Sequence, residues 1–293
     1  MSENSNGEHL RFYVIIPAHN EEGFIGQTLD SLLNQQQLIP HKIIVVDDNS
    51  QDNTAAVVDS YCQNHDFIQL VKNTSSEKHL PGSKVVQAFY KGMDQLDNNF
   101  DVICKFDADL IFPSNYFKVL NRAFSTNRKL GMAGGFCYIK NNDKWVLENL
   151  TDKTHIRGAL KAYRKQCFED IDGLKIAMGW DTVDELLARY HGWKVETFPE
   201  LKVKHLRATG ESYREQNKFI FGEALYSLRY GFFITFIAAA KMAWLKKDFS
   251  SFKEYMKGYF LGKRKKIPFL VSKEEGKWIK KYRWKNMFKK IFQ

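Results

Sequence analysis

Strand-like and helix-like segments alternate through roughly the first 125 residues, and this alternation limits the fold more than any other feature of the sequence. The apolar runs "YVIIP" and "KIIVV" are each followed by a segment whose apolar residues recur at helical spacing. "FIQLVKN" and "DVICKF" are a third and a fourth strand, again with helices after them. Short connections between alternating strands and helices predict an α/β fold, with a mostly parallel sheet and helices on both faces.

The order of elements changes after Leu130. "MAGGFCYI" and "WVLENL" predict two further strands, and the next periodic segment predicts a helix over about 159–170. A short helix and a final strand are predicted within "GWDTVDELLARYHGWKVETFPE". Because no linker composition interrupts this stretch, we expect one domain over 1–210 and a helical region over 211–293.

Polar side chains gather where three predicted strands end. They are His19 and Asn20 after the first strand, Asp47 to Ser50 after the second, and Asp107 with Asp109 after the fourth. Ligands of open parallel sheets bind at these carboxyl ends, so a site is expected there. Neither G-x-G-x-x-G nor G-x-x-x-x-G-K-[ST] follows the first strand, which argues against a dinucleotide site and a P-loop.

Asp107 and Asp109 are candidates for a metal site. Residues two apart in an extended segment point to the same side, so the two carboxylates can share a cation or the hydroxyls of a ligand. One or two carboxylates together with substrate phosphates are the usual ligands of protein-bound Mg²⁺. The alternative is a solvated turn, and the D-x-D motif by itself does not distinguish the two.

The net charge of +10 is concentrated at the C-terminus. Residues 241–293 contain 17 Lys and Arg against 4 Asp and Glu. Such asymmetry predicts a polyanionic partner, either anionic lipid or nucleic acid. The apolar stretch over 230–245 is too short to cross a membrane, because a spanning helix needs about 20 apolar residues.

The last residues favour a membrane surface as this partner. Apolar side chains recur there at helical spacing, with lysines on the other faces of the helix. The apolar residues are Trp284, Met287, Phe288, Ile291 and Phe292. This pattern is typical of a helix that lies in an anionic membrane interface. The alternatives are a helix docked on the rest of the protein or on another copy, and a nucleic-acid contact. We predict peripheral contact with an anionic membrane and no nucleic-acid partner.

The cysteines and the N-terminus bear on the cellular compartment. Four cysteines without a C-x-x-C pair predict reduced thiols in the core rather than disulfides or a zinc site. The first residues, "MSENSNGEHLRF", are polar and lack the apolar stretch of a signal peptide. The expected location is therefore the cytoplasm, at the inner face of the cell membrane.

Four motifs occur in an order that resembles the family 2 glycosyltransferases of the GT-A fold. They are "PAHNEE", "VVDDNSQDNT", "KFDAD" and "GWDTVDELLARYHGWK", and the resemblance covers about residues 11–205. It implies a nucleotide-sugar-binding half over 11–110 and an acceptor-side half over 130–210. The implied reaction is a metal-dependent, inverting transfer of a sugar from a nucleotide-diphosphate sugar, with a UDP-sugar favoured. The implied acceptor is a lipid-linked or cell-surface glycan.

The resemblance also implies roles for residues near the donor. Those expected to line the nucleotide pocket are Pro17, Ala18, His19 and Glu21. Asp48, from the second strand, is expected to contact the base. Lys84 follows a Pro-Gly turn at a predicted helix start, where a lysine and unpaired N–H groups favour phosphate. A solvated lysine is the alternative for this position.

The same resemblance implies a metal site that holds Mn²⁺ or Mg²⁺. Asp109 would bind the metal directly, and Asp107 would face the metal or the ribose. His205, in "KVKHLRATG", is a candidate third ligand, since GT-A enzymes often bring a later histidine or acid back to the metal and imidazole suits Mn²⁺. A surface histidine is the alternative. Arg207 nearby is expected to pair with the diphosphate.

Family 2 enzymes remove the acceptor proton with an acid in an E-D type motif. The matching stretch here is "GWDTVDE", in which Trp180 stands in place of the first acid. Asp181 is the implied base, with Asp184 in reserve. The chemistry asks for these residue types, because a cation stabilises the departing diphosphate and a carboxylate takes the proton of the acceptor hydroxyl.

Two other functions stay open at this point. A sugar-phosphate nucleotidyltransferase usually has a Gly-rich loop after its first strand, and this sequence lacks one. A non-enzymatic polyanion-binding protein would use the basic tail alone. Nothing in the first 240 residues favours that second alternative.

Overall fold

The computed structural model describes residues 9–75, 82–148, 153–207 and 218–291. The chain divides into two compact units. Among the described residues, the first unit takes in those of 1–79, 84–173 and 192–208, and the second those of 80–83, 174–191 and 209–293. Residues 174–191, predicted to belong to the acceptor-side half, thus group with the C-terminal helices.

The first unit is built on one sheet. Its strands are β1 (Phe12–Ala18), β2 (Lys42–Asp48), β3 (Ile68–Asn73), β4 (Val102–Phe106), β5 (Leu110–Ile111), β6 (Leu130–Asn141), β7 (Lys144–Leu147), β8 (Leu160–Arg164) and β9 (Lys194–His205). Its helices are α1 (Ile25–Leu33), α2 (Thr54–Asn64), α3 (Ser83–Met93), α4 (Tyr116–Thr126) and α5 (Lys165–Asp170). The second unit contains α6 (Trp180–Tyr190), α7 (Ile220–Ser227), α8 (Gly231–Lys246), α9 (Phe249–Lys265) and α10 (Lys273–Ile291).

The sheet is parallel at one end and mixed at the other. Its strand order is β3-β2-β1-β4-β8-β6-β9-β5, with β7 paired to β6. The first four strands pair in parallel, which confirms the α/β alternation predicted from the sequence. Beyond β4 the pairing changes, because β8 is antiparallel to both β4 and β6, whereas β6 and β9 are parallel. The predicted mostly parallel arrangement therefore describes the first half of the sheet.

Both faces of β1 are covered. Its side chains Phe12, Tyr13, Val14, Ile15 and Ile16 are all buried. Burial on both faces is typical of a parallel sheet flanked by helices. Phe12 packs edge-on against Phe117 of α4, with ring centroids 5.3 Å apart. This core fixes the central strands, so the residues that follow their carboxyl ends have defined positions.

The helix predicted over about 159–170 is wrong in its first half. Residues Leu160–Arg164 form β8, and only Lys165–Asp170 form a helix. β8 lies between β4 and β6, where Lys161 and Tyr163 are fully buried. The main-chain groups of β4 and β6 need partners at this place in the sheet. Strand pairing therefore overrides the local helical preference.

The C-terminal helix α10 packs within the second unit. The Trp278 ring lies edge-on to Tyr190 of α6, with centroids 5.7 Å apart, and Ile279 is fully buried. Phe288, further along the helix, is exposed. Of the predicted interfacial residues, Phe292 and the side chain of Ile291 lie outside the described part of the chain. Docking thus accounts for the first half of α10.

The apolar stretch over 230–245 forms α8, which has 16 residues. Across the described ranges, no helix combines the length and the apolar character needed to cross a membrane. Asp248 is the N-cap of α9. Its carboxylate accepts the N–H groups of Ser250 (2.9 Å) and Ser251 (3.3 Å). Such a cap fixes where α9 begins.

Candidate active site

The D-x-D segment connects β4 to β5 and is held at both ends. The N–H of Asp107 donates to the carbonyl of Ala159 at 2.8 Å. The carbonyl of Asp109 accepts the N–H of Leu206 at 2.9 Å. The backbone positions of the two acids are therefore set by the residue just before β8 and the residue just after β9.

Thr28 of α1 braces the same segment. Its hydroxyl donates to the carbonyl of Ala108 at 2.7 Å and accepts the N–H of Leu110 at 3.0 Å. The Thr28 side chain is fully buried, so water does not replace these bonds. Helix α1 thereby fixes the backbone on both sides of Asp109.

A short strand that the sequence did not predict brings His205 to the acids. β5 pairs antiparallel with the end of β9, and Leu110 lies opposite His205. His205 is the last residue of β9. One donor atom from each of Asp107, Asp109 and His205 lies within 4.8 Å of the others. The structure thus brings together the three residues predicted as metal ligands.

His205 lies between two buried carboxylates. Its Nε2 is 3.4 Å from Asp109, and its Nδ1 is 3.4 Å from Glu148. Burial acts to lower the pKa of His205, but the two carboxylates outweigh it and raise the pKa to about 9. Burial acts to raise the pKa of Asp109, and His205 with Arg207 lowers that pKa below its ordinary value. These acids therefore favour the protonated imidazole, and a cation that binds the ring of His205 would displace a proton from it.

Glu148, directly after β7, holds the other side of the His205 ring. Its carboxylate lies 3.3 Å from Nη2 of Arg157, and both side chains are largely buried. Its N–H donates to the carbonyl of Cys137 at 2.9 Å. A carboxylate on the second ring nitrogen orients a metal-binding histidine and fixes its tautomer. Glu148 is placed to do this for His205.

Arg207 and Glu21 extend the cluster towards the end of β1. Arg207 donates from Nε to Asp109 at 3.2 Å and pairs through Nη2 with Glu21. Burial raises the pKa of Glu21 and Arg207 offsets only part of this, so the pKa is about 7. Oε2 of Glu21 is buried without a hydrogen-bond partner among the described residues. A buried oxygen of this kind is suited to receive an N–H or O–H group of a ligand.

Asp107 is also held by a buried lysine. Lys105 lies in β4 with 3% of its side chain exposed, and its ammonium pairs with Oδ1 of Asp107. The same ammonium donates to the carbonyl of Gly158 at 3.2 Å. A buried charge requires a counter-charge close by. Asp107 therefore balances Lys105 as well as facing His205.

The loops after β1 and β2 brace each other. The N–H of Asn20 donates to the hydroxyl of Ser50 at 2.9 Å, and the N–H of Gln51 donates to the side chain of Asn20 at 2.8 Å. Asn20 and Asn49 have φ values of 55° and 59°, in a region that asparagine adopts more readily than most residues. These asparagines let both loops turn sharply at the edge of the sheet.

Several predicted nucleotide-binding residues lie at these loops. Nδ1 of His19 is 2.6 Å from the carbonyl of Asp48. The Asp48 carboxylate accepts from the side chain of Asn73 at 2.8 Å and from the N–H of Ser75 at 3.1 Å. His19 is exposed, Pro17 is half-buried and Ala18 is buried. Lys84, the remaining predicted donor contact, lies in the first turn of α3.

Asp181 and Asp184 lie on α6, in the second unit. Asp181 is half-buried in the first turn of the helix, where the N-terminal end favours negative charge. Asp184 is 1% exposed, and its carboxylate accepts the N–H of Glu185 at 2.6 Å. Asp181 is therefore the more accessible of the two candidate bases.

Comparison with known families decides the relationship. The family described as "Glycosyl transferase family 2" matches residues 13–173, which is more than half of the chain. The chain belongs to glycosyl transferase family 2. The match spans the loops after β1 and β2 and the D-x-D segment, so the resemblance noted from the motifs is confirmed.

Other members match over part of their length. The probable glycosyltransferase YdaM of Bacillus subtilis is 37% identical over 100 residues, which are 33% of this chain and 22% of YdaM. The uncharacterized glycosyltransferase MG025 of Mycoplasma genitalium is 30% identical over 155 residues, which are 53% of this chain and 48% of MG025. This chain thus matches less than half of the length of each relative.

Solved structures share the fold at low identity. Staphylococcus aureus TarS 1–349, in complex with UDP-GlcNAc, has a TM-score of 0.56 and 17% identity, covering 80% of this chain and 67% of that one. Mannosyltransferase PcManGT from Pyrobaculum calidifontis, in complex with GDP-Man and Mn²⁺, has a TM-score of 0.54 and 17% identity, covering 75% and 63%. These likenesses confirm the predicted GT-A type of α/β fold.

The donor set of this family 2 chain fits a divalent cation. Asp107, Asp109 and His205 offer two oxygen donors and one nitrogen donor within 4.8 Å. Carboxylates and imidazole together suit Mn²⁺, and carboxylates with phosphate oxygens suit Mg²⁺. Cys137 lies near His205 and Glu148, but burial raises the pKa of its thiol, which disfavours the thiolate that binds metal.

Four residues of the cluster are missing from the sequence prediction: Thr28, Lys105, Glu148 and Arg157. Lys105 did carry a signal, because a charged residue inside an apolar strand requires a buried partner. Glu148 carried none, since His205 is 57 positions away along the chain. The contact between Glu148 and His205 can be recognised only once the pairing of the strands in the sheet is known.

Thr28→Val provides a test of how the D-x-D segment is held. Valine keeps the shape of threonine but leaves the carbonyl of Ala108 and the N–H of Leu110 without their buried partner. We expect the free energy of unfolding to fall by about 1–3 kcal/mol, measured by urea denaturation. Thr28→Ser, which retains the hydroxyl, should lose less. A Thr28→Val protein as stable as the parent would contradict this account.

Proposed function

We propose that this family 2 chain is an inverting, metal-dependent glycosyltransferase. It would move a sugar from a nucleotide-diphosphate sugar, with a UDP-sugar favoured, to a lipid-linked or cell-surface glycan. The observation that carries the proposal is the cluster of Asp107, Asp109 and His205 beyond the end of β4. The complexes of TarS with UDP-GlcNAc and of PcManGT with GDP-Man and Mn²⁺ support a nucleotide-sugar donor here as well.

Asp107, Asp109 and His205 would hold Mn²⁺ or Mg²⁺. When bound, such a cation stabilises the negative charge that builds on the departing diphosphate. Asp109 is the firmer ligand, since it is buried and its backbone is fixed on both sides. Asp107 gives one oxygen to Lys105, so we assign it to both the cation and the ribose. Glu148 would act through His205 by holding its ring in place.

Arg207 would supply a second positive charge to the diphosphate. Its side chain is 47% exposed, although Asp109 and Glu21 hold its guanidinium. The guanidinium carbon also lies 5.2 Å from the centre of the Phe24 ring. A guanidinium offers five N–H groups, so two carboxylate contacts leave donors for phosphate oxygens.

The nucleoside would bind at the loops after β1 and β2. Asp48 is assigned to the base, because Asn73 and Ser75 orient its carboxylate. His19 lies beside it and is exposed to a ligand. Pro17 and Ala18 would form the wall of this pocket. Glu21, with its unpartnered oxygen, would accept a hydroxyl or N–H of the donor, and Lys84 would reach a phosphate.

Asp181 is assigned as the general base, with Asp184 in reserve. In an inverting reaction a carboxylate removes the proton of the acceptor hydroxyl as that hydroxyl attacks the sugar. The assignment rests on the "GWDTVDE" motif and on the greater exposure of Asp181. The acid that takes the proton would have to be ionised for this step.

We further propose a cytoplasmic location at the inner face of the cell membrane. A lipid-linked acceptor would be presented there. The basic C-terminal region supports peripheral contact with anionic lipid. Nucleic acid is not part of this proposal, because the charge in the region is accompanied by exposed apolar side chains.

Thermal unfolding of the full chain with UDP, GDP and ADP, each with and without Mn²⁺, tests the proposal. We expect one nucleotide to raise Tm only when Mn²⁺ is present. A ligand at about 100 times its Kd adds about 2.7 kcal/mol of stability, which a melting curve resolves easily. EDTA should reverse the shift. The absence of a shift with every nucleotide would overturn the proposal.

Reaction products separate the alternatives. A glycosyltransferase releases a nucleoside diphosphate, whereas a sugar-phosphate nucleotidyltransferase releases pyrophosphate. The family match favours the first of these products. A non-enzymatic polyanion-binding protein would release neither.

A further inference from the structure

The turn between α8 and α9 carries large side chains that face solvent. Trp244 is 78% exposed and Phe249 is 66% exposed. Phe233, in the first turn of α8, is 72% exposed. Apolar side chains of this size on a protein surface mark an interaction site when they are contiguous.

The phenylalanine side chains of α8 and α9 form one continuous surface. Ring contacts link Phe233 to Phe232 (5.6 Å between centroids), Phe232 to Phe236 (6.1 Å), Phe236 to Phe252 (5.3 Å) and Phe252 to Phe249 (5.5 Å). Phe260 joins through Phe232 at 6.2 Å. We call these phenylalanines, Trp244 in the last turn of α8 and the lysines beside them the aromatic–basic surface.

The same two helices are strongly basic. Residues 231–266 contain nine Lys and Arg and only two Asp and Glu. Lys246 and Lys247 lie in the turn next to Trp244, and both are exposed. The ammonium of Lys253 lies 5.6 Å from the centre of the Phe249 ring. Aromatic rings and lysines are therefore adjacent on this surface rather than segregated.

The opposite side of α8 is occupied by the protein itself. Ile234, Thr235 and Ala239 are buried, whereas Phe233 and Trp244 are not. Within the described ranges, no helix is suited to span a bilayer, so contact with lipid would be interfacial. Aromatic side chains prefer the headgroup level of a bilayer, and lysines can reach the anionic headgroups beside them.

We propose that the aromatic–basic surface docks on an anionic membrane. This contact would hold the chain beside a membrane-borne acceptor, and only that purpose rests on the proposed function. A second copy of the chain fits less well, because a two-fold contact through this surface would bring its lysines against each other. The surface lies on α8 and α9, whereas the sequence pattern pointed to the end of α10.

Vesicle sedimentation with the full chain tests this inference. We expect binding to vesicles of phosphatidylcholine and phosphatidylglycerol in equal parts, weak binding to phosphatidylcholine alone, and weaker binding as salt rises. The double variant Trp244→Ser/Phe249→Ser should bind at least about tenfold more weakly, because two exposed rings no longer enter the interface. Lys246→Glu/Lys253→Glu should lose the preference for phosphatidylglycerol.

Matched variants on α10 locate the effect. Phe288→Ser removes an exposed ring, and Lys277→Glu/Lys281→Glu makes the same change in charge on exposed lysines of that helix. Both should bind vesicles more tightly than the corresponding α8–α9 variants. Equal losses from the two sets would overturn the assignment to the aromatic–basic surface. So would a parent protein that ignores anionic vesicles, or a dimer in light scattering that Trp244→Ser/Phe249→Ser converts to monomer.

The nucleotide test separates this inference from the proposed function. Trp244→Ser/Phe249→Ser should retain the Mn²⁺-dependent Tm shift with nucleotide, since no vesicle takes part in that measurement. If the parent shows no shift but binds vesicles through this surface, the proposed function fails and the membrane inference stands. The reverse result, a shift without vesicle binding, overturns the inference alone.

Discussion

Asp109→Asn is expected to remove the Mn²⁺-dependent part of nucleotide binding and to lower sugar transfer by about a thousandfold. Asp109 is buried between His205 at 3.4 Å and Arg207 at 3.2 Å. An amide lacks the negative charge of the carboxylate and one of its two acceptor oxygens. Because a cation contributes several kcal/mol to stabilising the leaving group, its loss corresponds to roughly three orders of magnitude in rate. Release of nucleoside diphosphate and Tm against Mn²⁺ concentration are the measurements.

Asp143→Asn is the matched control for this variant. Asp143 lies in the turn between β6 and β7 with 93% of its side chain exposed, and its φ of 62° is tolerated by asparagine. It loses the same charge and should keep full activity. Circular dichroism must show that Asp109→Asn is folded, since the change removes an acid shared by His205 and Arg207. His205→Ala offers a second test of the same cation. Unchanged metal dependence in both variants would contradict the metal site.

The strands that form the nucleotide end of the fold were predictable because each carries its own signal. β1, β2 and β4 are apolar runs buried on both faces, and the polar residues after them mark the carboxyl edge. That edge follows from the parallel pairing alone. Asp48, Asp107 and Asp109 were therefore accessible to sequence reasoning without knowledge of the rest of the chain.

The other half of the cluster depends on pairings between distant segments. β5 has two residues, too few for a periodic pattern, yet its pairing with β9 sets Leu110 opposite His205. Residues 160–164 likewise form a strand because they pair with β4 and β6, not because their own sequence favours a strand. Glu148 reaches His205 only through this arrangement. Local patterns do not encode such contacts.

The charge asymmetry was correctly seen as a property of the C-terminal region, but composition does not place it on a surface. Helical spacing at the end of α10 pointed to Trp284 and Phe288. The structure uses the first half of α10 for packing, with Ile279 fully buried. The most exposed aromatic side chains of the described residues lie instead on α8 and α9, at Trp244, Phe233 and Phe249. Burial, which the sequence gives only on average, decides which apolar face remains for a partner.

Gly258→Ala is expected to destabilise the second unit by about 3 kcal/mol, at the upper end of the usual cost of overpacking. A Cβ at Gly258 would lie 2.1 Å from the carbonyl oxygen of Phe219 and 2.9 Å from Cα of Gly222. A Cβ at Gly222 would lie 2.1 Å from the carbonyl oxygen of Tyr255. Helices α7 and α9 thus meet through their backbones, which cannot rotate away as a side chain can. Urea denaturation followed by circular dichroism measures the loss.

Gly26→Ala is the control, because it also adds a methyl group within a helix. There the new Cβ would meet side-chain atoms of Tyr61 at 3.4 Å and Val57 at 3.7 Å, which are ordinary contacts. We expect this variant to match the parent or to gain up to about 1 kcal/mol from helix propensity. Since α9 carries Phe249 and Phe252, Gly258→Ala should also weaken vesicle binding, whereas Gly26→Ala should not. A Gly258→Ala protein with parental stability would mean that α7 and α9 do not pack this closely.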